Sequence, residues 1–205
     1  IAVEAPWGRI IDAADAAAAL RKAKRPKLVA VVHAETSTGV CQPLEDISRL
    51  THEAEALFVV DAVTSLGGVP LLVDEWNIDA CYSGTQKCLS CPPGLAPLTF
   101  GPRALEVLRQ RRSKVRSWYL DLTMIEKYWG QERVYHHTAP ISMNYALREA
   151  LRLIEEEGLE PRFARHRRHH EALKAGLVAI GIRVAAQEGH QLPTLNCVTV
   201  PDGVD

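Results

Sequence analysis

The sequence predicts an α/β fold in three layers, with a mainly parallel sheet between helices. Short apolar runs recur through the first half, and stretches of helical pattern separate them. That alternation is the mark of strand–helix–strand units with a parallel sheet. The polar residues gather where the apolar runs stop. Sheets of this kind take ligands at the carboxyl ends of their strands, so those polar clusters are where chemistry is expected.

The elements follow in order. Residues 12–24 (DAADAAAALRKAK) are alanine-rich and close on a basic cluster before Pro26, as a helix C-terminus and its breaker do. Leu28–Val32 is a continuous apolar run, expected to be a strand buried on both faces. Residues 44–57 read as a helix with Ile47, Leu50, Ala54 and Leu57 apolar, and 58–61 and 80–83 as further strands. Residues 95–100 read as a fourth strand that Pro97 confines to an edge or a bulge. Residues 142–157 place Met143, Leu147, Leu151 and Ile154 on one helical face, and Gly158 interrupts. A second helix is expected from Pro161 to Gly176 or beyond, then strands at 182–185 and 196–200. The expected division is a large domain over 1–157 and the beginning of a smaller α+β domain over 158–205.

Composition narrows the function classes. The chain has 205 residues, 47% hydrophobic and 24% charged, with a net charge of −1. That balance suits an ordinary globular domain and speaks against an electrostatically driven nucleic-acid or membrane-surface binder. No run approaches the roughly 18 apolar residues of a membrane span. Five cysteines form no disulfide framework, which points to a reducing setting, cytoplasmic or, in a eukaryote, organellar. The chain opens on Ile1-Ala2-Val3 with no initiator Met or signal pattern and stops after an apolar run, so a central segment of something longer is expected.

Lys87 follows the 80–83 run among small hydroxyl residues, with no acidic neighbour in sequence. A lysine partly shielded from water favours its neutral amine and can act as a Schiff-base nucleophile, although a lysine after a strand is more often solvated. Asp61 closes the 58–61 run. A carboxylate there must be paired or hydrogen-bonded. It serves either as a helix cap or ion-pair partner, or as the partner of a pyridinium nitrogen in a pyridoxal enzyme.

Four segments then occur in order: HAETSTGV at 33–40, DAVTSLGG at 61–68, SGTQKCL at 83–89 with PPG at 92–94, and YHHTAP at 135–140. Together they resemble the alanine–glyoxylate/serine–glyoxylate aminotransferase family, class V aminotransferases of pyridoxal-phosphate fold type I, from about Trp7 to Cys197. The resemblance implies that Lys87 bonds the cofactor aldehyde and shuttles the substrate proton. It implies that Asp61 partners the pyridinium, Val63 packs on the ring, Gln86 lies beside it, and Thr36 sits near the phenolic oxygen and substrate carboxylate. Tyr135 and Thr138 would reach the phosphate of the other subunit's site, which implies a homodimer. The reaction implied is ping-pong transfer from a small amino acid to glyoxylate or another small 2-oxo acid. The family's phosphate-binding Ser/Gly loop, ring-stacking aromatic and carboxylate-binding arginine have no match here, since Trp7 and Arg183 stand in the wrong places. The segment alone is therefore expected to bind cofactor poorly and to be inactive.

Other features have plainer readings. Cys88-Leu-Ser-Cys91 lacks the further ligands of a zinc site and is expected to be packed thiols, with no metal. His166-Arg-Arg-His169-His170 is expected to be a solvated helix face, His136 and His137 to orient their loop, and Gly67-Gly68 to make a turn. A cysteine desulfurase-like lyase is the alternative in the same superfamily, but those enzymes typically carry His where Gln86 stands and need a cysteine on a later loop. A non-catalytic binding domain is the alternative from another class.

Overall fold

The computed structural model describes residues 1–204. Its centre is a four-stranded sheet in the order β1 (Leu28–Val32), β4 (Leu57–Asp61), β5 (Ala80–Tyr82) and β6 (Leu98–Phe100). The first three strands run parallel, and β6 returns antiparallel to β5 at the edge, directly after Pro97. Helices α1 (Ala13–Lys22) and α2 (Glu45–Glu53) lie against one another, and α2 also contacts β4. A short hairpin, β2 (Ala34–Glu35) with β3 (Val40–Cys41), follows β1.

One face of the sheet makes the core. Register pairs Val29 with Phe58 and Val31 with Val60, so these side chains share a face and pack with Ala16, Leu44 and Ile47 from the helices. Phe58 and Val60 are fully buried. Each such side chain contributes about 1.5–3 kcal/mol on leaving water. The opposite face of β1 is open: Leu28, Ala30 and Val32 are exposed, against the expectation of a strand covered on both sides. An apolar run shows that a strand prefers burial but not which neighbours cover its second face.

The second half is helical: α3 (Pro102–Arg109), α4 (Leu122–Trp129), α5 (Ile141–Glu157) and α6 (Leu159–Ala179). Pro102 occupies the first turn of α3, where its missing N–H costs nothing. The Asp121 carboxylate caps α4 through Thr123 N. Along α5, Ala150 and Ile154 are buried, while Leu151 stays half exposed despite its apolar spacing. Gly158, with φ +79°, makes the sharp joint between α5 and α6 that a side chain would strain. The strands expected at 182–185 and 196–200 reduce to one bridge, Val184 to Val198.

Candidate functional site

Five of the residues singled out from sequence, Thr36, Asp61, Val63, Gln86 and Lys87, lie on segments at the C-terminal edge of the parallel strands. Asp61 and Tyr82 are register partners on parallel strands, so their side chains leave the sheet on the same face. Tyr82 donates its hydroxyl proton to Asp61 Oδ2 at 2.7 Å, and Val63 N donates to Oδ1 at 2.9 Å. The hydrogen bond to Asp61 pushes the Tyr82 phenol up to about 12. Asp61 caps no helix: its Oδ1 bond closes a two-residue turn. Among the described residues it has no cationic partner. Asp61 thus presents a carboxylate whose two donors are neutral, with acceptor capacity left for a cationic N–H.

The 62–68 and 83–91 segments are bound to each other. Ala62 N donates to Tyr82 O, and Ser83 Oγ donates back to Ala62 O at 2.9 Å. Ser90 N donates to Lys87 O, which closes the turn carrying the lysine. A methyl at Gly84 would stand 2.8 Å from Gln86 Oε1 and 3.6 Å from Val63 Cγ1, so both side chains border that glycine. Thr36, past β1, joins through its hydroxyl, 2.6 Å from that of Thr64. Lys87 is exposed and makes no side-chain hydrogen bond or ion pair among the described residues. Asp61, Val63, Thr36, Gln86 and the Lys87 turn are therefore brought to one edge. A cleft of about 790 Å³ beside Trp7, Val31 and Glu35 contains none of them except through the neighbouring Ser37 loop.

Tyr135 and Thr138 are not in this cluster. They stand on the loop after α4, bonded to each other at 3.0 Å, with Tyr135 72% exposed. His136 between them is buried, stacks on Trp118 at 4.0 Å and bonds Trp118 O at 3.0 Å. The buried His136 thus pins the loop to Trp118, while Tyr135 and Thr138 on either side of it stay exposed.

The remaining motifs resolve into packing. Cys88 Sγ donates to Thr64 O at 3.2 Å, Cys91 is buried, and all five cysteines are free. Cys197 Sγ donates to Ser37 O at 3.4 Å. The basic patch on α6 is only partly solvated. Arg167, Arg168 and His169 are exposed, but His170 is buried against Asn196 Oδ1 at 2.5 Å. No three metal-ligating side chains converge among the described residues. Sequence reasoning missed Tyr82, Thr64 and Arg162. Tyr82 and Thr64 show themselves only through register and loop contact. Arg162 carried a signal, a cation in the first turn of a helix, where the macrodipole disfavours positive charge.

Comparison with known proteins places this geometry in context. The model of the family described as aminotransferase class-V matches residues 7–205. The (S)-ureidoglycine–glyoxylate transaminase of Bacillus subtilis is 43% identical over 99% of this chain and 53% of its own length. The alanine–glyoxylate aminotransferase of Rattus norvegicus is 43% identical over 87% of this chain and 44% of its own length. The crystal structure of an alanine–glyoxylate aminotransferase from Nostoc sp. superposes with a TM-score of 0.95 at 51% identity, covering 98% of this chain and 53% of that one. The chain spans about half the length of the curated relatives it matches.

Proposed function

Since the chain belongs to the class V aminotransferase family, we propose that the protein moves the amino group of a small amino acid to glyoxylate or another small 2-oxo acid with pyridoxal 5′-phosphate as cofactor. One observation carries the reading. Among the described residues, a carboxylate with no cationic partner, Asp61, and an amine with no acidic partner, Lys87, end on mutually bonded loops at the C-terminal edge of adjacent parallel strands. The names of the relatives from Bacillus subtilis and Rattus norvegicus, both glyoxylate enzymes, support the acceptor.

The donor set fits the cofactor. Asp61 would offer carboxylate oxygens to a protonated ring nitrogen, Val63 an apolar surface beside Gly84, and Thr36 and Thr64 paired hydroxyls. When bound, pyridoxal phosphate supplies an electrophilic aldehyde and a ring that takes up electron density from the substrate α-carbon. With the cofactor bound, Asp61 would hold the ring-nitrogen proton by charge. Lys87 would supply the amine that anchors the cofactor and would hold or pass a proton at Nζ. Gln86 would lie beside the ring, next to the lysine.

Tyr135 and Thr138 complete the proposal as phosphate ligands for the second subunit of a homodimer. Their exposed hydroxyls, backed by buried His136, support it, since donors for a phosphate act best when held rigidly. The same proposal divides the chain into a cofactor-binding part over 1–157 and a second unit from 158, supported by the Gly158 joint. A reducing, cytoplasmic setting is supported by five free cysteines. No helix among the described residues is long and apolar enough to cross a membrane.

The experiment is a donor panel of alanine, serine and ureidoglycine against glyoxylate, run on the full-length protein and followed at the visible cofactor band. Expected are a band that borohydride bleaches, glycine as product, and a fall in turnover of about 10²–10⁴-fold or more in Lys87→Ala. Turnover that survives in Lys87→Ala would overturn the role given to Lys87, and a protein that never acquires the band and shows no turnover would overturn the proposal in favour of a non-catalytic domain. Release of sulfur from cysteine, with no amino transfer, would favour the desulfurase-like lyase.

A further inference from the structure

Arg162 lies outside the candidate cluster, in the first turn of α6, yet it is 8% exposed and its guanidinium is aimed at the two loops that build the site. Nε donates to Gly67 O at 2.9 Å and Nη2 to Cys88 O at 2.5 Å, while Nη1 pairs with Glu157 Oε2 at 2.9 Å. Cys88 is the residue after Lys87, and Gly67 ends the loop that begins at Asp61. A buried cation is stable only when every side of it is paired. Anchoring α6 to α5 would need only Glu157, at the end of the preceding helix. The two carbonyl bonds do something else, joining the lysine turn to the aspartate loop through one rigid fork.

The two loops meet at a distance that leaves no slack. A methyl at Gly67 would stand 3.1 Å from Leu89 Cδ2, and one at Gly68 only 2.6 Å from Cys88 Sγ. Cys88 Sγ in turn donates to Thr64 O at 3.2 Å, and Thr64 carries the hydroxyl bonded to Thr36. Removing the guanidinium would leave the carbonyls of Gly67 and Cys88 without this donor. It would also leave the lysine turn held by Ser90 N to Lys87 O and by Cys88 Sγ to Thr64 O.

We propose that Arg162 is a positioning residue for Lys87, fixing the turn 87–90 against the loop 64–68 and so setting where the amine stands relative to Asp61. The role given to Lys87 rests on the proposed function, but the bracing of the turn does not, and the two parts are read separately.

The test uses Arg162→Met and Arg162→Lys in the full-length protein. In the cofactor-free protein, amide hydrogen exchange is followed at Ser90, Cys91 and Gly68, whose N–H groups close the two loops. Loss of the charge-assisted bonds should speed exchange there about tenfold or more in Arg162→Met, with β4 amides unchanged. Arg162→Lys, a point donor without the fork, should fall between. In the presence of pyridoxal phosphate, turnover should drop about 10- to 100-fold in Arg162→Met, and the pH midpoint of the visible band should move. Glu157→Gln is the control: it removes the ion pair and leaves the carbonyl bonds, so it should lower the melting temperature while leaving the band midpoint as in the wild type. Uniform acceleration of exchange across β4 and both loops, or loop amides and a band midpoint identical to wild type, would overturn the proposal. If Arg162→Met does not fold, the same readings on Arg162→Lys decide. If the loop amides respond but the wild type forms no band, the bracing stands, whereas the role for Lys87 falls together with the proposed function.

Discussion

Acid should destabilise this protein through imidazoles that burial keeps neutral, His33 foremost and His166 to a lesser degree, before its carboxylates contribute. His33, at the end of β1, is 3% exposed. Its backbone N–H donates to Asp61 O at 2.9 Å and its carbonyl accepts from Gln42 N at 2.8 Å, so the ring is fixed between β1 and β4. The groups facing it are the Cys41 thiol, 3.7 Å from Nε2, and the edge of the Trp76 ring, with centroids 5.7 Å apart. Nδ1 has no partner among the described residues. Nothing there stabilises an imidazolium, and burial pushes the His33 pKa down from 6.5 to about 4. The unfolded chain therefore takes up this proton at a pH where the native state does not, and stability falls as pH drops from about 6.5 toward about 4. At about 1.4 kcal/mol per pH unit the loss is about 3 kcal/mol when complete. Glu35, Glu149 and Glu188, held below the ordinary carboxylate range by hydrogen bonds from Ser37, Arg152 and Lys174, lose their contribution only at lower pH. Urea unfolding of wild type and His33→Gln, taken at intervals between about pH 7 and 4.5, isolates the imidazole. The wild-type curve should fall by about 2–3 kcal/mol relative to the variant. Parallel curves would refute the reasoning, because they would mean that His33 is protonated in the native state or is not buried there.

Two further outcomes follow from contacts around the sheet. Asp79, 5% exposed, accepts from Phe58 N at 2.8 Å and from Arg103 Nη1 at 3.1 Å, so Asp79→Ala leaves a buried N–H without its acceptor, while the partly exposed Arg103 keeps its bond to Ala56 O. The expected cost is about 1–3 kcal/mol, read as a lower urea midpoint at unchanged slope, with Asp79→Asn costing less. Gly68→Ala places a methyl against Cys88 Sγ and Thr194 Cγ2 and should cost about 1–3 kcal/mol. In a Cys88→Ala background, where the sulfur is gone, the same substitution should cost less, and a double-mutant cycle measures the difference.

The parts of the fold legible in sequence are those whose pattern is long or whose chemistry is local. Leu28–Val32 coincides with β1, and the runs at 58–61 and 80–83 lie within a residue of β4 and β5. The helix expected at 44–57 is shorter in the structure because the turn ending at Glu55, with φ +56°, breaks it before β4. Two-residue strands such as β2 and β3 carry no periodicity to read. Signals did exist for α3 and α4, Gly101-Pro102 and Asp121 before Leu122, but neither sits in a run whose apolar spacing draws attention. At the proposed site, Asp61 and Lys87 could be singled out because they follow strand ends of a parallel sheet, and the roles proposed for them come from four ordered motifs that resemble a known family. Tyr82 and Arg162 could not, since one depends on register and the other on a contact across 95 residues in sequence.

The contacts divide into two kinds, and the division explains how the site can be both rigid and available. The bonds that hold the loops run to main-chain carbonyls: Ser83 to Ala62, Thr85 to Pro92, Cys88 to Thr64, and Arg162 to Gly67 and Cys88. A carbonyl acceptor fixes the path of the chain without occupying the side chain of the residue that owns it. Lys87 can therefore stand on a braced turn with its amine uncommitted, and Asp61 can keep acceptor capacity while its two donors orient it. Had the same loops been tied by ion pairs through Lys87 or Asp61, the chemistry would first have to break the structure that positions it. A tyrosine on Asp61 Oδ2 is the one contact a cationic ligand must share or displace. A neutral hydroxyl displaced from the carboxylate leaves no unpaired charge behind, whereas a displaced salt-bridged cation would.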